Sequence, residues 1–256
     1  MESKKGEKEN NMSVSNNPDN MDTISDEMKS EESRKKQNKQ LIWATVLMIS
    51  VIAIILIVPY LMNNYFNKFD YNGIEFTKTK FGKLDVYVGE LPIFNSDSGN
   101  AITGKSIASI YSLYLRNDPR KLDNVDVLLD VNNITFIKKK TVYVSYNSSA
   151  PPCNYNVVAA AELGKFLINF GGLDVEGAFI NKDYAEQSKT PYVTCENHPD
   201  NTVVLVVSGQ ENKISKIKIN CYEVQYKDCD ILDVTEEFII SVSEGYINYT
   251  YSNGNK

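Results

Sequence analysis

The sequence predicts an α+β region behind one membrane-spanning helix, in which an N-terminal antiparallel β unit is followed by a unit of order βαβαββα. Three observations carry this prediction. The first is "LIWATVLMISVIAIILIVPYLM", residues 41 to 62, which holds no charged residue and as a helix is about 33 Å long, enough to cross a hydrocarbon core. The second is a run of half-buried strand patterns between Gly73 and Val127. The third is the alternation of helical and extended apolar patterns from Thr141 to the C-terminus.

The apolar run divides the chain. Residues 1 to 40 are charged, rich in Asn and Ser and free of aromatics, so they read as a disordered tail with too little apolar surface to offset the entropy of ordering. A cleavable signal peptide fits poorly, because 40 polar residues precede the run and no small-residue cleavage site follows. Trp43 and Tyr60 near its ends are placed as interfacial anchors, and Pro59 falls in its last turn. Arg34, Lys35, Lys36 and Lys39 crowd the N-terminal flank, whereas Lys68 is the one basic residue in 63 to 77. This asymmetry places the N-terminus in the cytoplasm and the C-terminal region outside, at the cell membrane.

Residues 63 to 256 carry 19 Lys and Arg against 24 Asp and Glu, a net charge of −5, which provides no basic surface for nucleic acid. All four cysteines, Cys153, Cys195, Cys221 and Cys229, lie in this region. Their even number in an exported compartment predicts two disulfides. Three sequons, at Asn133, Asn147 and Asn248, fall on the same side and are candidate glycosylation sites.

The expected β unit, residues 63 to 136, contains strands at "IEFTKTKF" (74–81), "LDVYVGELPIF" (84–94) and "SIASIYSLYLRN" (106–117), with a tight connection near "FGKL" (81–84) and a polar loop at 95–104. The expected α/β unit, residues 137 to 256, begins with a strand at "TVYVSY" (141–146). Next, "NYNVVAAAELGKFLINF" (154–170) places Val157, Ala160, Ala161, Gly164, Leu167 and Ile168 on one helical face, widened by Leu163, Phe166 and Phe170, before Gly171 and Gly172 stop the helix. A strand at 174–180, a short helix at 182–189 and two apolar strands at 202–209 and 214–226 follow, the last two joined by "QENK". Asp233 and Glu236 form a D-x-x-E capping box ahead of the helix "VTEEFIISV".

That order of elements, over roughly residues 137 to 245, resembles the thioredoxin fold. The resemblance implies a reactive cysteine opening the first helix, where Cys153 stands, and a cis-proline loop facing it, where Pro191 is the candidate although it precedes the apolar strand by eleven residues. The sequence departs from the family's C-x-x-C site, since positions 150 and 156 are Ala150 and Asn156. The wider run "FDYNGIEFTKTKFGKL", "YSLYLRNDPRKLD" and "PYVTC…NCYEVQYKDCDILDVTEEFI" resembles uncharacterised single-pass membrane proteins of small-genome archaea, a resemblance that implies no activity.

Arg116, Arg120 and Lys121 cluster in "LYLRNDPRKLD". They are a candidate grip for a carboxylate or phosphate, weighed against simple pairing with local acids such as Asp118 and Asp123. His198, the one histidine, sits in a polar loop without further metal ligands nearby in sequence and reads as a solvated residue. No P-loop, nucleophile-elbow, zinc-protease or EF-hand motif occurs, and no cofactor is called for. The expectation is a non-enzymatic membrane-anchored envelope module that binds a protein or a surface polymer; the alternative is thiol-disulfide exchange through Cys153. Cys153 has no basic neighbour in "SSAPPCNYN", which favours a structural bridge.

For disulfide pairing, "YEVQYKD" between Cys221 and Cys229 alternates as a continuous strand about 26 Å long. A disulfide needs Cα atoms within about 7 Å, so Cys221 and Cys229 do not pair directly. With "QENK" closing a hairpin, the start of the strand at Thr202 lies opposite the region of Cys221 and the preceding loop brings Cys195 near that strand or its end, so Cys195 is expected to bond Cys221 or Cys229, and Cys153 the other.

Overall fold

A computed structural model describes residues 19–62, 67–94, 107–137, 139–148, 150 and 152–254. The chain divides into two compact units, Met1–Met62 and Asn63–Lys256.

In the first unit, helix α1 (Asp19–Leu61) contains the apolar run and carries Pro59 in its last turn. The span Lys36–Leu61 is long and apolar enough to cross a membrane, with a mean hydropathy of 3.0 and none of that window buried. The helix starts earlier than expected, so residues 19–40 are helical rather than disordered, while 1–18 lie outside the described residues. Lack of apolar surface is a poor guide here, because from Asp19 to Gln40 the chain contains neither Gly nor Pro and is rich in Glu, Lys, Met and Gln. Those residue types favour helix, and the apolar helix supplies a nucleus to propagate from.

The second unit is α+β. Strands β1 (Lys68–Tyr71), β2 (Ile74–Phe81), β3 (Leu84–Phe94) and β4 (Ile107–Leu115) form an antiparallel meander in sequence order. The 82–83 connection lies where "FGKL" placed it; the loop at 95–104 lies outside the described residues. A mixed six-stranded sheet contains β5 (Asp126–Val127), β6 (Val142–Tyr146), β7 (Val175–Phe179), β8 (Thr202–Gly209), β9 (Lys213–Lys218) and β10 (Cys221–Lys227), in the spatial order β5-β9-β10-β8-β6-β7. Strands β7, β6, β8 and β10 run parallel, and β9 runs antiparallel to β10.

Two expectations fail at β9 and β10. Residues 214–226 are not one strand, because the chain reverses at Ile219–Asn220. Asn220 takes φ +63, a conformation its short polar side chain tolerates better than most; with no Gly or Pro nearby, this Asn was the one turn signal. "QENK" therefore closes no hairpin between β8 and β9, and β8 pairs with β10 instead. The order of the C-terminal half becomes βαβαβββα, one strand more than the thioredoxin-like order.

Helix α2 (Asn156–Asn169) and helix α4 (Ile231–Gly254) lie between the two sheets; the short α3 (Lys182–Ser188) follows β7. Phe238 of α4 meets Tyr222 of β10, with ring centroids 6.0 Å apart, while Asn72 in the β1–β2 turn donates to Glu244 at 2.9 Å. Tyr111 of β4 packs on Phe166 and Phe170 of α2. One apolar cluster thus contains Ile74, Phe76, Leu91 and Leu115 together with Leu163, Val204, Tyr222 and Phe238, so the expected units 63–136 and 137–256 share a core and form one body. A smaller cluster, Ala178, Val193, Cys195, Val203 and Cys221, forms apart from it.

The buried face of α2 is Ala159, Leu163, Phe166 and Leu167. Val157 is 81% exposed and Ile168 is 49% exposed, so the buried stripe is rotated from the expected face towards Leu163 and Phe166. Large side chains decided the orientation, because the helix buries more area through Leu163 and Phe166 than through alanines. Helix α4 starts at Ile231, three residues before the expected "VTEEFIISV", and from Val234 to Ser243 every residue is buried. A helix buried all round is a core element rather than an amphipathic one. At Gly245 its backbone lies against the Val131 carbonyl oxygen, which a Cβ there would meet. Gly245→Ala is expected to lower stability by about 1–3 kcal/mol by forcing the helix off this turn, measurable as a drop in thermal midpoint.

Candidate functional site

The parallel strands leave their carboxyl ends along one edge. From β6 the chain passes through α2 to β7 on one side, and from β7 through α3 to β8 on the other. The edge between β6 and β8 is therefore a topological switch point, where open α/β sheets place ligands. There Asn147 N–H donates to the Val206 carbonyl, and Ile180 N–H to that of Tyr146.

Cys153 and Cys229 are joined at this edge, with Cα atoms 5.5 Å apart. Cys229 is exposed and Cys153 half-buried. Cys153 precedes the first helical residue, Asn156, by three positions, so it stands before α2 rather than opening it. The influence of the helix terminus, confined to the first turn, does not reach it fully. No peptide bond among the described residues is cis, so Pro191 is not the cis-proline of the thioredoxin comparison. Its carbonyl accepts from Phe179 N–H instead, and Tyr192 bridges to Phe179 along the β7 edge.

Cys195 and Cys221 form the other bridge, with Cα atoms 5.8 Å apart; they are 5% and 3% exposed. Both pairings fall within the alternatives the sequence left open, and Cys221–Lys227 is the continuous strand that kept Cys221 from Cys229. The route differed from the one expected. Cys195 reaches Cys221 because β8 and β10 are parallel neighbours that put Val203 opposite Cys221, not because of a hairpin. A cavity of about 440 Å³ opens beside this bridge, lined by His198, Asn201, Lys218, Ile219 and Asn220 among others. His198 is not simply solvated: it is half-buried, meets Tyr143 edge-on at 4.9 Å and contacts Asn197 Oδ1 through Nδ1 at 2.7 Å.

The arginine cluster is spent internally. Arg120 pairs with Asp118 through Nε at 2.9 Å and Nη2 at 2.8 Å, with its guanidinium 3.9 Å from the centre of the Phe69 ring. The guanidinium holds the Asp118 carboxyl below its usual range. Arg116 Nε donates to Glu162 at 3.1 Å, a partner 46 residues away that local reading could not supply. Asp118 is one of the two local acids weighed as partners, Asp118 and Asp123; Lys121 is exposed. Of the sequons, Asn133 is exposed and donates to Asp130 at 2.7 Å, Asn147 is half-buried at the end of β6, and Asn248 is half-buried on α4.

Sequence reasoning missed the carboxylates of α4. Asp233 and Glu236 do not cap the helix, which has already begun. Glu236, fully buried, accepts from the N–H groups of Arg116 at 2.6 Å and Asn117 at 3.1 Å, and Asp233 accepts from Asn117 Nδ2 at 2.9 Å. Burial pushes Glu236 up to about 8 against the pull of the two N–H donors, with the nearby Glu162 charge adding to the rise. Glu237 is also pushed up to about 8, by burial and then by the charges of Glu244 and Asp123, and its buried Oε2 has no hydrogen-bond partner. The one signal in the sequence was an acidic pair inside an apolar run. Among the described residues, no three His, Cys, Asp or Glu side chains are placed to hold a metal ion. No protein-family model, curated protein or solved structure matches this chain.

Proposed function

We propose that the chain is a membrane-anchored module whose C-terminal region lies outside the cytoplasm and works by binding a protein or surface polymer. The observation that carries this reading is the joining of all four cysteines into two bridges on one side of a span that fits a membrane anchor, since such bridges persist in oxidising compartments. The basic flank at Arg34–Lys39 supplies the orientation. A binding role is supported by how the reactive side chains are used: Glu236 clamps backbone, Arg116 and Arg120 are held by carboxylates, and His198 packs on Tyr143. Protease added to intact cells is expected to remove the C-terminal region and spare the first 40 residues. Protection of the C-terminus would overturn the orientation. Cross-linking of the full chain on intact cells then identifies what the outer region binds.

A second reading, thiol-disulfide exchange, is favoured by one observation, the exposure of Cys229 in a bridge at the switch-point edge. Exchange begins with attack of an external thiolate on one sulfur of the bridge, releasing the other as a thiolate. The exposure of Cys229 is what supports that approach.

A further inference from the structure

Strands β2 and β3 outrun their neighbours. Strand β1 covers β2 only as far as Lys68 opposite Thr77, and β4 covers β3 only from Leu115 opposite Tyr87. Asn67 still accepts from the Lys78 N–H, so residues 79–86 form a two-stranded ribbon standing out of the meander. Its turn is Gly82-Lys83, with φ +66 at Gly82 and no positive φ at Lys83, the type II′ pattern that demands glycine first. The pair that closes this turn is Phe81 opposite Leu84. Phe81 is 81% exposed and Leu84 is 56% exposed. Large apolar side chains at the end of a projecting ribbon bury nothing within the domain. Lys80 and Lys83 are exposed beside them, and Lys78 is paired with Asp85 at 2.8 Å.

Covalent length limits where this tip can go. Six peptide units separate Met62 from Lys68, at most about 21 Å of extended chain. Because β1 is antiparallel to β2, β2 returns in the direction from which the chain arrives. It then continues four residues past Thr77, about 13 Å, before reaching Phe81. The tip thus projects from the same end of the domain that the tether joins. Apolar side chains flanked by lysines are the composition that seats in a headgroup boundary.

We propose that the Phe81–Leu84 tip is a second membrane contact, with Phe81 and Leu84 entering the interfacial layer of the bilayer that holds the anchor and Lys80 and Lys83 meeting anionic headgroups. The proposal rests on the anchor reading above. The two are tested separately in the full chain, reconstituted in phosphatidylcholine–phosphatidylglycerol vesicles with bromines on the acyl chains near the headgroups. Trp43 is the one native tryptophan, so in the unmodified protein its quenching reports the anchor. In a Trp43→Phe background, Phe81→Trp is expected to be quenched at least about twofold more than Ile219→Trp, a reporter at an equally exposed position in the β9–β10 turn. Adding Lys80→Glu and Lys83→Glu reduces that quenching. Unquenched Trp43 overturns the anchor. Quenched Trp43 with an unquenched tip reporter overturns the hairpin contact alone, and quenching indifferent to the lysine changes overturns the role of charge.

Discussion

Replacing Glu236 with alanine is expected to lower the thermal midpoint by roughly 10 °C. The change removes the acceptor of two backbone N–H groups, those of Arg116 and Asn117, inside a helix buried on all sides. Unsatisfied buried donors cost about 1–3 kcal/mol each, and for a domain of this size about 1 kcal/mol shifts the midpoint by about 2–4 °C. Glu236→Gln keeps one carbonyl acceptor and should recover about half of the loss. The neighbouring Glu237 has the opposite sign. Its Oε2 lacks a partner and its ionisation is opposed by burial, so Glu237→Gln should raise stability at pH 8 and leave it nearly unchanged at pH 4.5.

The same two groups set the pH dependence. Their folded pKa values of about 8 lie above the ordinary 4.5. Below 4.5 both states are protonated and the contribution is complete; between 4.5 and 8 the unfolded chain releases protons that the folded chain keeps, and stability falls; above 8 nothing further is lost. The loss between those limits is on the order of 5 kcal/mol for each group. Thermal unfolding across this range should show the midpoint descending with pH, and the cost of Glu236→Ala shrinking with it. A midpoint that stays flat from pH 4.5 to 8 would show that these carboxylates ionise freely in the folded protein.

The second large effect concerns the disulfides. The Cys153–Cys229 loop, of sequence separation 76, encloses the Cys195–Cys221 loop, of separation 26. Chain entropy assigns them about 4–5 and about 3–4 kcal/mol taken singly, but nested loops restrict the same segment and their contributions do not add. Cys195→Ser with Cys221→Ser should cost more than the entropy alone, because it also puts two hydroxyls into a buried apolar cluster. Under a graded dithiol, alkylation and peptide mapping should find Cys153 and Cys229 labelled first, with Cys195 and Cys221 oxidised until the domain unfolds. That order leaves the exchange reading open to a kinetic test; simultaneous labelling of all four cysteines only on unfolding would remove it.

What the sequence by itself determined was set by short-range pattern and covalent count. The 22-residue apolar run, the β2 and β3 bounds, the tight turn at Gly82 and the exclusion of a Cys221–Cys229 bond each depend on residues adjacent in the chain, where periodicity and strand length act without help. Tertiary structure decided everything that joins distant segments. Whether β8 would lie beside β9 or β10 depended on how a fully apolar strand is buried on both faces, which local alternation cannot register. Which stripe of α2 faces inward was chosen by Leu163 and Phe166 against the facing sheet. Arg116 found Glu162, and Glu236 found the amides of Arg116 and Asn117, because the centre of the fold is a helix enclosed by two sheets. A carboxylate there must take a backbone partner or stay protonated, and no spacing along the chain announces which.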